Sequence, residues 1–257
     1  MSVSVGDGTG ITRLRDLRQE GSLRSVFPRP PASGLEAVIV NTAGGVTGGD
    51  AFSITAHACP KSQLTLTTQA AERIYRAIGD EPGRIRNTLT IEDNAQLHWL
   101  PQETILFDGC NVLRSLNVDI AKTARFLMVE PLVFGRTASG ESLRSCAFRD
   151  SVKLRCDGRL CYLDRINLTG NVAHLMQRGA TGQSAGAMAN VVLVARNAPQ
   201  YLDRARALLP ATGGASVLDQ NVLVARILTT DSFALRRTLL PLLRLLSDDT
   251  VPKNWRL

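Results

Sequence analysis

The sequence lacks the features that mark membrane-spanning proteins, secreted proteins and disulfide-stabilised folds. No apolar run approaches the roughly 18 residues of a transmembrane helix. The first eight residues show no basic stretch followed by an apolar one, as a secretory signal would. The five cysteines are odd in number and unpatterned, which predicts free thiols. We therefore expect a cytoplasmic protein that does not contact membranes.

Lysine is scarce, although the chain carries a net charge of +7 and has a pI of about 9.6. Four of the 30 basic residues are Lys, which leaves 26 Arg, and these are scattered from Arg13 to Arg256. Only Arg236 and Arg237 are adjacent, and they lie in an amphipathic helical stretch. Nucleic-acid binding normally needs clustered phosphate contacts. The dispersion favours protein contacts and predicts no nucleic-acid partner, and a basic nucleic-acid-binding module is kept as an alternative.

The remaining composition is that of a chain with a substantial core. Its 257 residues are 44% hydrophobic and 21% charged, unlike a disordered protein. Short extended runs broken by turn residues dominate after residue 20. Predicted strands cover 36–41, 52–58, 63–68, 84–91, 95–100, 104–107, 112–120, 125–134, 146–156, 159–168 and 191–196, and 217–229 is mostly extended. Strands in succession without helices favour an antiparallel or wound β architecture over a doubly wound parallel sheet.

About two helices are predicted, both late in the chain. One covers 201–209, and the other begins at an Asp231 or Ser232 cap and runs to Leu246, with Pro241 expected to kink or interrupt it. Asp157-Gly158 predicts a type I′ hairpin turn. Residues 1–20 are polar and Gly-rich, so we expect them to be loosely ordered. The sequence thus predicts one mainly β domain over 21–257, with the two helices after about residue 197.

Residues 182–186 match the G-x-S-x-G nucleophile elbow of serine hydrolases. That motif requires a strand before Ser184, a helix after it and a triad histidine further along the chain. The only histidines, His57, His98 and His174, all precede Ser184, and the following residues resemble a strand. A small-residue loop is the preferred interpretation, and a hydrolase that uses Ser184 is kept as an alternative.

Motifs for a permanent metal site are also lacking. The sequence contains no C-x-x-C, no H-E-x-x-H and no closely spaced acidic loop of the calcium type. His57 and Cys59 could lend two ligands from the end of one strand, but alternate residues on a strand point the same way by default. An edge histidine beside a buried thiol is the preferred interpretation, and we expect no permanently bound cofactor.

Three acids lie in unusual sequence surroundings. Asp50 follows the glycine-rich run 44–49, whose glycines allow tight backbone close to another segment. Glu130 and Asp164 lie among apolar residues of predicted strands. A buried carboxylate is costly unless it is paired, hydrated or protonated. The sequence leaves open whether these two line an interior channel, or whether Glu130 faces outward and Asp164 pairs simply with Arg165.

Six collinear segments resemble the urease accessory protein UreD (UreH) family. They are LRQEGS at 17–22, NTAGGVTGGD at 41–50, LTTQAAERIYR at 66–76, WLPQETI at 99–105, GRTASGE at 135–141 and PKNWRL at 252–257. Each alone is weak, but the ordered set is specific. The resemblance implies an elongated fold of layered β-strands with two helices, in agreement with the strand pattern.

The resemblance also implies a function. It predicts a non-enzymatic chaperone that forms a complex with UreF and the GTPase UreG and helps to insert nickel into apo-urease, with Ni²⁺ bound only transiently along a polar internal path. Asp50, Glu130 and Asp164 match acids of the family, and oxygen ligands suit an ion that must be released again. Glu103, Arg136 and Glu141 lie in matching motifs as secondary candidates, and Arg136 could hold a carboxylate in a structural bidentate clamp.

Overall fold

The computed structural model describes residues 1–7, 10–28, 34–136 and 139–256, and within them the chain forms two β-sheets and three late helices. The strands of the first sheet are β1 (Ser2–Asp7), β2 (Thr12–Arg18), β5 (Ala51–Ala58), β8 (Gly83–Ile91), β11 (Asn111–Ile120), β13 (Cys146–Cys156) and β14 (Arg159–Gly170). Those of the second are β3 (Leu23–Val26), β4 (Leu35–Asn41), β6 (Gln63–Thr68), β7 (Glu72–Ile74), β9 (Gln96–Leu100), β10 (Thr104–Leu106), β12 (Arg125–Phe134), β15 (Ala187–Val194), β16 (Gly213–Leu218) and β17 (Val222–Thr229). The helices are α1 (Val172–Gln177), α2 (Leu202–Leu208) and α3 (Ser232–Leu246).

The chain winds back and forth between the two sheets. The first sheet has the order β14-β13-β11-β8-β5-β1-β2, and the second has β16-β17-β15-β12-β9-β6-β4-β3, with β10 paired to β12 and β7 paired to β10. Strands β5, β8, β11 and β13 pair in parallel, as do β4, β6, β9 and β12. Antiparallel strands extend the ends of both sheets. The predicted wound, layered β architecture is confirmed, with its centre parallel.

Alternation along β12 shows how the core is divided. Phe126, Met128 and Leu132 face the first sheet, while Leu127 and Val129 face the layer that contains α2 and α3. Because both faces of this strand are covered, it forms a nearly continuous apolar run. A charged residue in such a strand is buried on whichever face of the strand it lies.

Two predictions about local structure were wrong, namely the loose order of residues 1–20 and the interruption of the late helix at Pro241. Residues 1–20 contain β1 and β2, and β1 pairs in parallel with β5, because alternate Val3 and Val5 are buried in the core despite the polar, Gly-rich composition around them. Helix α3 runs through Pro241 without interruption. Five buried leucines pack one face of the helix against the core and hold it in place. They are Leu235, Leu239, Leu242, Leu243 and Leu246.

Local capping and turn signals were more reliable. The Asp231 side chain accepts a hydrogen bond from the backbone N–H of Ala234 at 2.7 Å, which is the predicted N-cap. Asp157 and Gly158 have φ angles of 48° and 76°, as the predicted hairpin turn requires. Helix α1 was not predicted. Asn171 caps it by accepting from the backbone N–H of His174.

Candidate functional site

A layer of charged side chains crosses the interior between the two sheets. Arg114 on β11 lies between Asp150 on β13 and Glu130 on the facing strand β12. The Nη2 and Nε atoms of Arg114 donate to the two carboxylate oxygens of Asp150 at 2.7 and 3.1 Å, and its Nη1 is 2.6 Å from Glu130 Oε2. All three residues are at most 8% exposed. One guanidinium therefore holds two buried carboxylates and joins the sheets.

Glu130 is the most unusual residue of this layer. Trp99 Nε1 donates to its Oε1 at 2.7 Å, whereas Oε2 has a close but poorly aligned contact with Arg114 and no hydrogen-bond donor among the described residues. Burial raises the pKa of Glu130, nearby Asp150 raises it further, and Arg114 opposes both effects. The outward-facing interpretation of Glu130 was wrong, because β12 is covered on both faces.

Asp164 lies in a second cluster that continues the same layer. It accepts hydrogen bonds from Arg226 on β17 and, at 3.2 Å, from Asn190 on β15, while the Asn190 Nδ2 also donates to Tyr162 Oη at 2.6 Å. The partner of Asp164 is thus Arg226 and not the adjacent Arg165. The Arg226 side chain is 48% exposed, so the layer reaches the surface here.

Strand register aligns the two clusters. Glu130, Asn190 and Arg226 are direct neighbours across β12, β15 and β17. On the other sheet, Arg114 and Asp150 are direct neighbours across β11 and β13. Apolar core lies on both sides, with Met128 and Leu132 flanking Glu130. We name the set Arg114, Glu130, Asp150, Asp164, Asn190 and Arg226 the polar layer.

Asp50 does not contact the polar layer. Its carboxylate accepts from the backbone N–H of Thr47 at 2.9 Å and lines an open cavity of about 430 Å³. The glycine-rich turn before it has the predicted close approach, since a Cβ on Gly45 would lie 2.3 Å from the Tyr75 ring. The structure therefore brings Glu130 and Asp164 into one layer and places Asp50 at a separate edge.

A second cavity of about 220 Å³ lies between this edge and the polar layer. Residues of both sheets line it, among them Phe52, Ile85 and Glu72. Ile85 is the register partner of Arg114, so the cavity reaches a neighbour of the polar layer. Asn41 donates to both carboxylate oxygens of Glu72, and burial raises the pKa of this acid. Sequence reasoning did not select Glu72, although it lies in the 66–76 segment that resembles the family.

The secondary candidates form two ion pairs outside the layer. Arg136 donates to the Glu141 carboxylate through Nε at 3.2 Å and Nη2 at 3.0 Å, and its guanidinium stacks 4.3 Å from the Phe107 ring centre. This is the bidentate clamp that the sequence suggested. Glu103 pairs with Arg236 of α3 at 3.1 Å, which ties the helix to the β9–β10 connection.

Ser184 does not have the surroundings of a nucleophile elbow. Its φ of 63° is positive, but helix α1 precedes the turn and strand β15 follows it, which reverses the required order. The cavity of about 230 Å³ that Ser184 lines contains no histidine among its described residues. The small-residue loop interpretation fits this geometry.

The described part of the chain is thus a wound two-sheet β protein in which buried charged groups bridge otherwise apolar sheets. The family model described as UreD urease accessory protein matches residues 1–256. The chain belongs to the UreD urease accessory protein family. No described helix combines the length and the hydropathy that crossing a membrane requires.

Individual relatives show the same likeness along the whole chain. The chain is 47% identical to the urease accessory protein UreD of Ruegeria pomeroyi over 251 residues, covering 98% of this chain and 96% of that protein. It is 39% identical to the urease accessory protein UreD of Rhodopseudomonas palustris over 248 residues, covering 96% and 89%. The predicted family is confirmed.

Proposed function

We propose that this chain is a non-enzymatic, cytoplasmic chaperone of urease maturation that assembles with UreF-like and UreG-like accessory proteins and with apo-urease. In this complex it supports GTP-dependent nickel insertion by giving Ni²⁺ a transient route along the polar layer. The observation that carries the proposal is a full-length family match in a chain whose interior holds ion-paired acids between two apolar regions.

The donor atoms of the layer suit a transient ion. Carboxylate and amide oxygens bind Ni²⁺ less tightly than a cage of imidazoles and thiolates, so the ion can leave again. Asn87 Oδ1 is a buried acceptor without a hydrogen-bond donor among the described residues, and Glu130 Oε2 has only its 2.6 Å contact with Arg114. Leaving such an acceptor unmatched costs about 1–3 kcal/mol, and a water molecule or a cation would satisfy it.

The arrangement also suggests a direction of transit. The cavity with Glu72 lies beside the layer at one edge, and half-exposed Arg226 marks the other end. Between them, an ion would replace Arg114 at Glu130 and Arg226 at Asp164. In the proposed route these two arginines are the counter-ions that the ion displaces. Asp50 lines the separate open cavity and would serve at the entrance.

The test is co-production of apo-urease with its accessory proteins and either this chain or a variant. We expect Glu130→Gln and Asp164→Asn, which keep side-chain size and remove charge, to lower the nickel content of purified urease while the variants still copurify with the accessory proteins. The matched control is Asp119→Asn on β11, because Asp119 is exposed and on the same strand as Arg114. Asp50→Asn tests the entrance separately.

The outcomes separate the two parts of the proposal. Full nickel loading by Glu130→Gln, Asp164→Asn and Asp50→Asn, together with loss of loading when this chain is omitted, would reject the path and keep the scaffold role. Full loading without the chain would reject the maturation role itself. Thermal unfolding of each purified variant distinguishes lost transfer from lost folding.

A further inference from the structure

A second group of potential metal ligands lies at the opposite end of β5 from Asp50. One ligand atom from each of His57, Cys59 and Glu92 lies within 4.8 Å of the others. His57 and Cys59 lie 7 and 9 residues beyond Asp50 along β5, which is about 23 and about 30 Å at about 3.3 Å per strand residue. The group therefore belongs neither to the open cavity nor to the polar layer.

Backbone hydrogen bonds fix where these side chains lie. Strands β5 and β8 are parallel and end in register at Ala58 and Ile91, so the next residues, Cys59 and Glu92, emerge side by side. The Glu92 N–H donates to the Ala58 carbonyl and the Cys59 N–H to the Val5 carbonyl, both at 3.0 Å. Three strands thus hold the ligand-bearing backbone, which gives the group a preformed geometry.

The side chains offer three different donor types at one point. His57 Nε2 and Glu92 Oε1 are 2.6 Å apart, and both side chains are about 40% exposed, while Cys59 is buried beneath them. An ion could therefore enter from solvent and bind the thiolate from above. A fourth position would remain open to solvent.

We propose that His57, Cys59 and Glu92 form a binding site for a late first-row divalent ion, Zn²⁺ or Ni²⁺, separate from the polar layer. Thiolate and imidazole select these ions over Mg²⁺ and Ca²⁺, which prefer oxygen ligands alone. Zinc binds thiolate at about 2.3 Å and imidazole or carboxylate at about 2.0–2.2 Å. Donors within 4.8 Å of one another can meet one ion at such distances with small side-chain rotations.

Arg15 is the charged neighbour that this site must accommodate. Its Nη1 donates to Cys59 Sγ at 3.5 Å. The Arg15 side chain passes directly over Gly6, because a Cβ on Gly6 would lie 2.4 Å from Arg15 Nε. The Arg15 residue is exposed on β2, so the guanidinium can swing into solvent when an ion takes the sulfur. Because this cation repels a divalent ion, removing its charge should tighten metal binding.

The experiment measures Zn²⁺ and Ni²⁺ binding to the untagged full chain by competition with a chromophoric chelator. We expect Glu92→Gln and Cys59→Ser to weaken this site by more than the tenfold to about hundredfold cost of losing an outer-shell partner. Arg15→Gln should bind more tightly. Glu92→Gln is the decisive variant, because the residue is half-exposed and the amide keeps the side-chain shape. Mg²⁺ should not compete.

Two controls separate this site from other bound nickel. With Ni²⁺, a near-ultraviolet thiolate-to-metal charge-transfer band should vanish in Cys59→Ser and persist in Cys161→Ser, which alters a half-buried thiol elsewhere. The band should also persist in Glu130→Gln, so the result is independent of the nickel path. Unchanged affinity in Glu92→Gln, or a charge-transfer band that survives Cys59→Ser, would overturn the proposal.

Discussion

Replacing Arg114 by methionine should strongly destabilise the fold because two buried acids lose their shared counter-ion. Removing one partner of a buried ion pair typically costs about 3–5 kcal/mol. Protonation limits the penalty for Glu130, since neutralising a Glu at pH 7 costs about 3.7 kcal/mol from its ordinary pKa value. We therefore expect Arg114→Met to lower the free energy of unfolding by about 3–5 kcal/mol at pH 7.

The loss should shrink as pH falls. Without Arg114, burial holds the pKa of Glu130 above its value in the unfolded chain, so the folded variant binds the extra proton. A folded pKa that is raised in this way makes stability fall as pH rises between the two values, by about 1.4 kcal/mol per unit for each proton. Between pH 7 and pH 5.5 the deficit relative to wild type should therefore shrink, by no more than about 1.4 kcal/mol per pH unit for one proton.

Urea unfolding followed by tryptophan fluorescence measures both effects. The chain has two tryptophans, Trp99 and Trp255, both buried, and Trp99 donates directly to Glu130. Adding Glu130→Gln and Asp150→Asn to Arg114→Met should restore most of the lost stability, because no uncompensated charge remains. An equal deficit at both pH values, or a triple variant no more stable than Arg114→Met alone, would refute this reasoning.

Two further predictions concern other buried positions. Burial and nearby Arg125 lower the pKa of His98 to about 3, so the unfolded chain alone takes up this proton, and stability should fall by about 1.4 kcal/mol per unit as pH drops below about 6.5. His98→Leu should remove that part of the slope in unfolding measured across this range, and an unchanged slope contradicts the assignment. Gly45→Ala should cost about 1–3 kcal/mol in thermal unfolding because its Cβ meets the Tyr75 ring. Gly179→Ala has open space around it and should be neutral, so equal effects of the two would reject the packing argument.

Much of the fold follows from local sequence signals. Alternating apolar residues and turn chemistry predicted most strands to within one or two residues, and the hairpin at Asp157-Gly158 was located correctly. The signals failed where tertiary contacts override composition. Val3 and Val5 form a strand because β5 offers an edge to pair with, and α3 tolerates Pro241 because its leucines pack against the core.

The candidate site was predictable only in part. Acids among apolar residues were a sound reason to select Glu130 and Asp164, because burying a charge is costly. Their partners Arg114 and Arg226 could not be selected, since they are 16 and 62 residues away and look like any scattered arginine. Likewise, His57 and Cys59 gave a weak metal signal alone, and Glu92 joins them only because β5 and β8 end together.

The sequence by itself determined the strand periodicity, the turns and caps, and the family, because these depend on residues close in the chain or on motifs in order. Only the tertiary structure decided which charges meet. Strand register and the facing of two sheets place Arg114 between Glu130 and Asp150, and Asn190 beside Asp164. These contacts depend on residues that the winding of the chain brings together, and local composition carries no record of them.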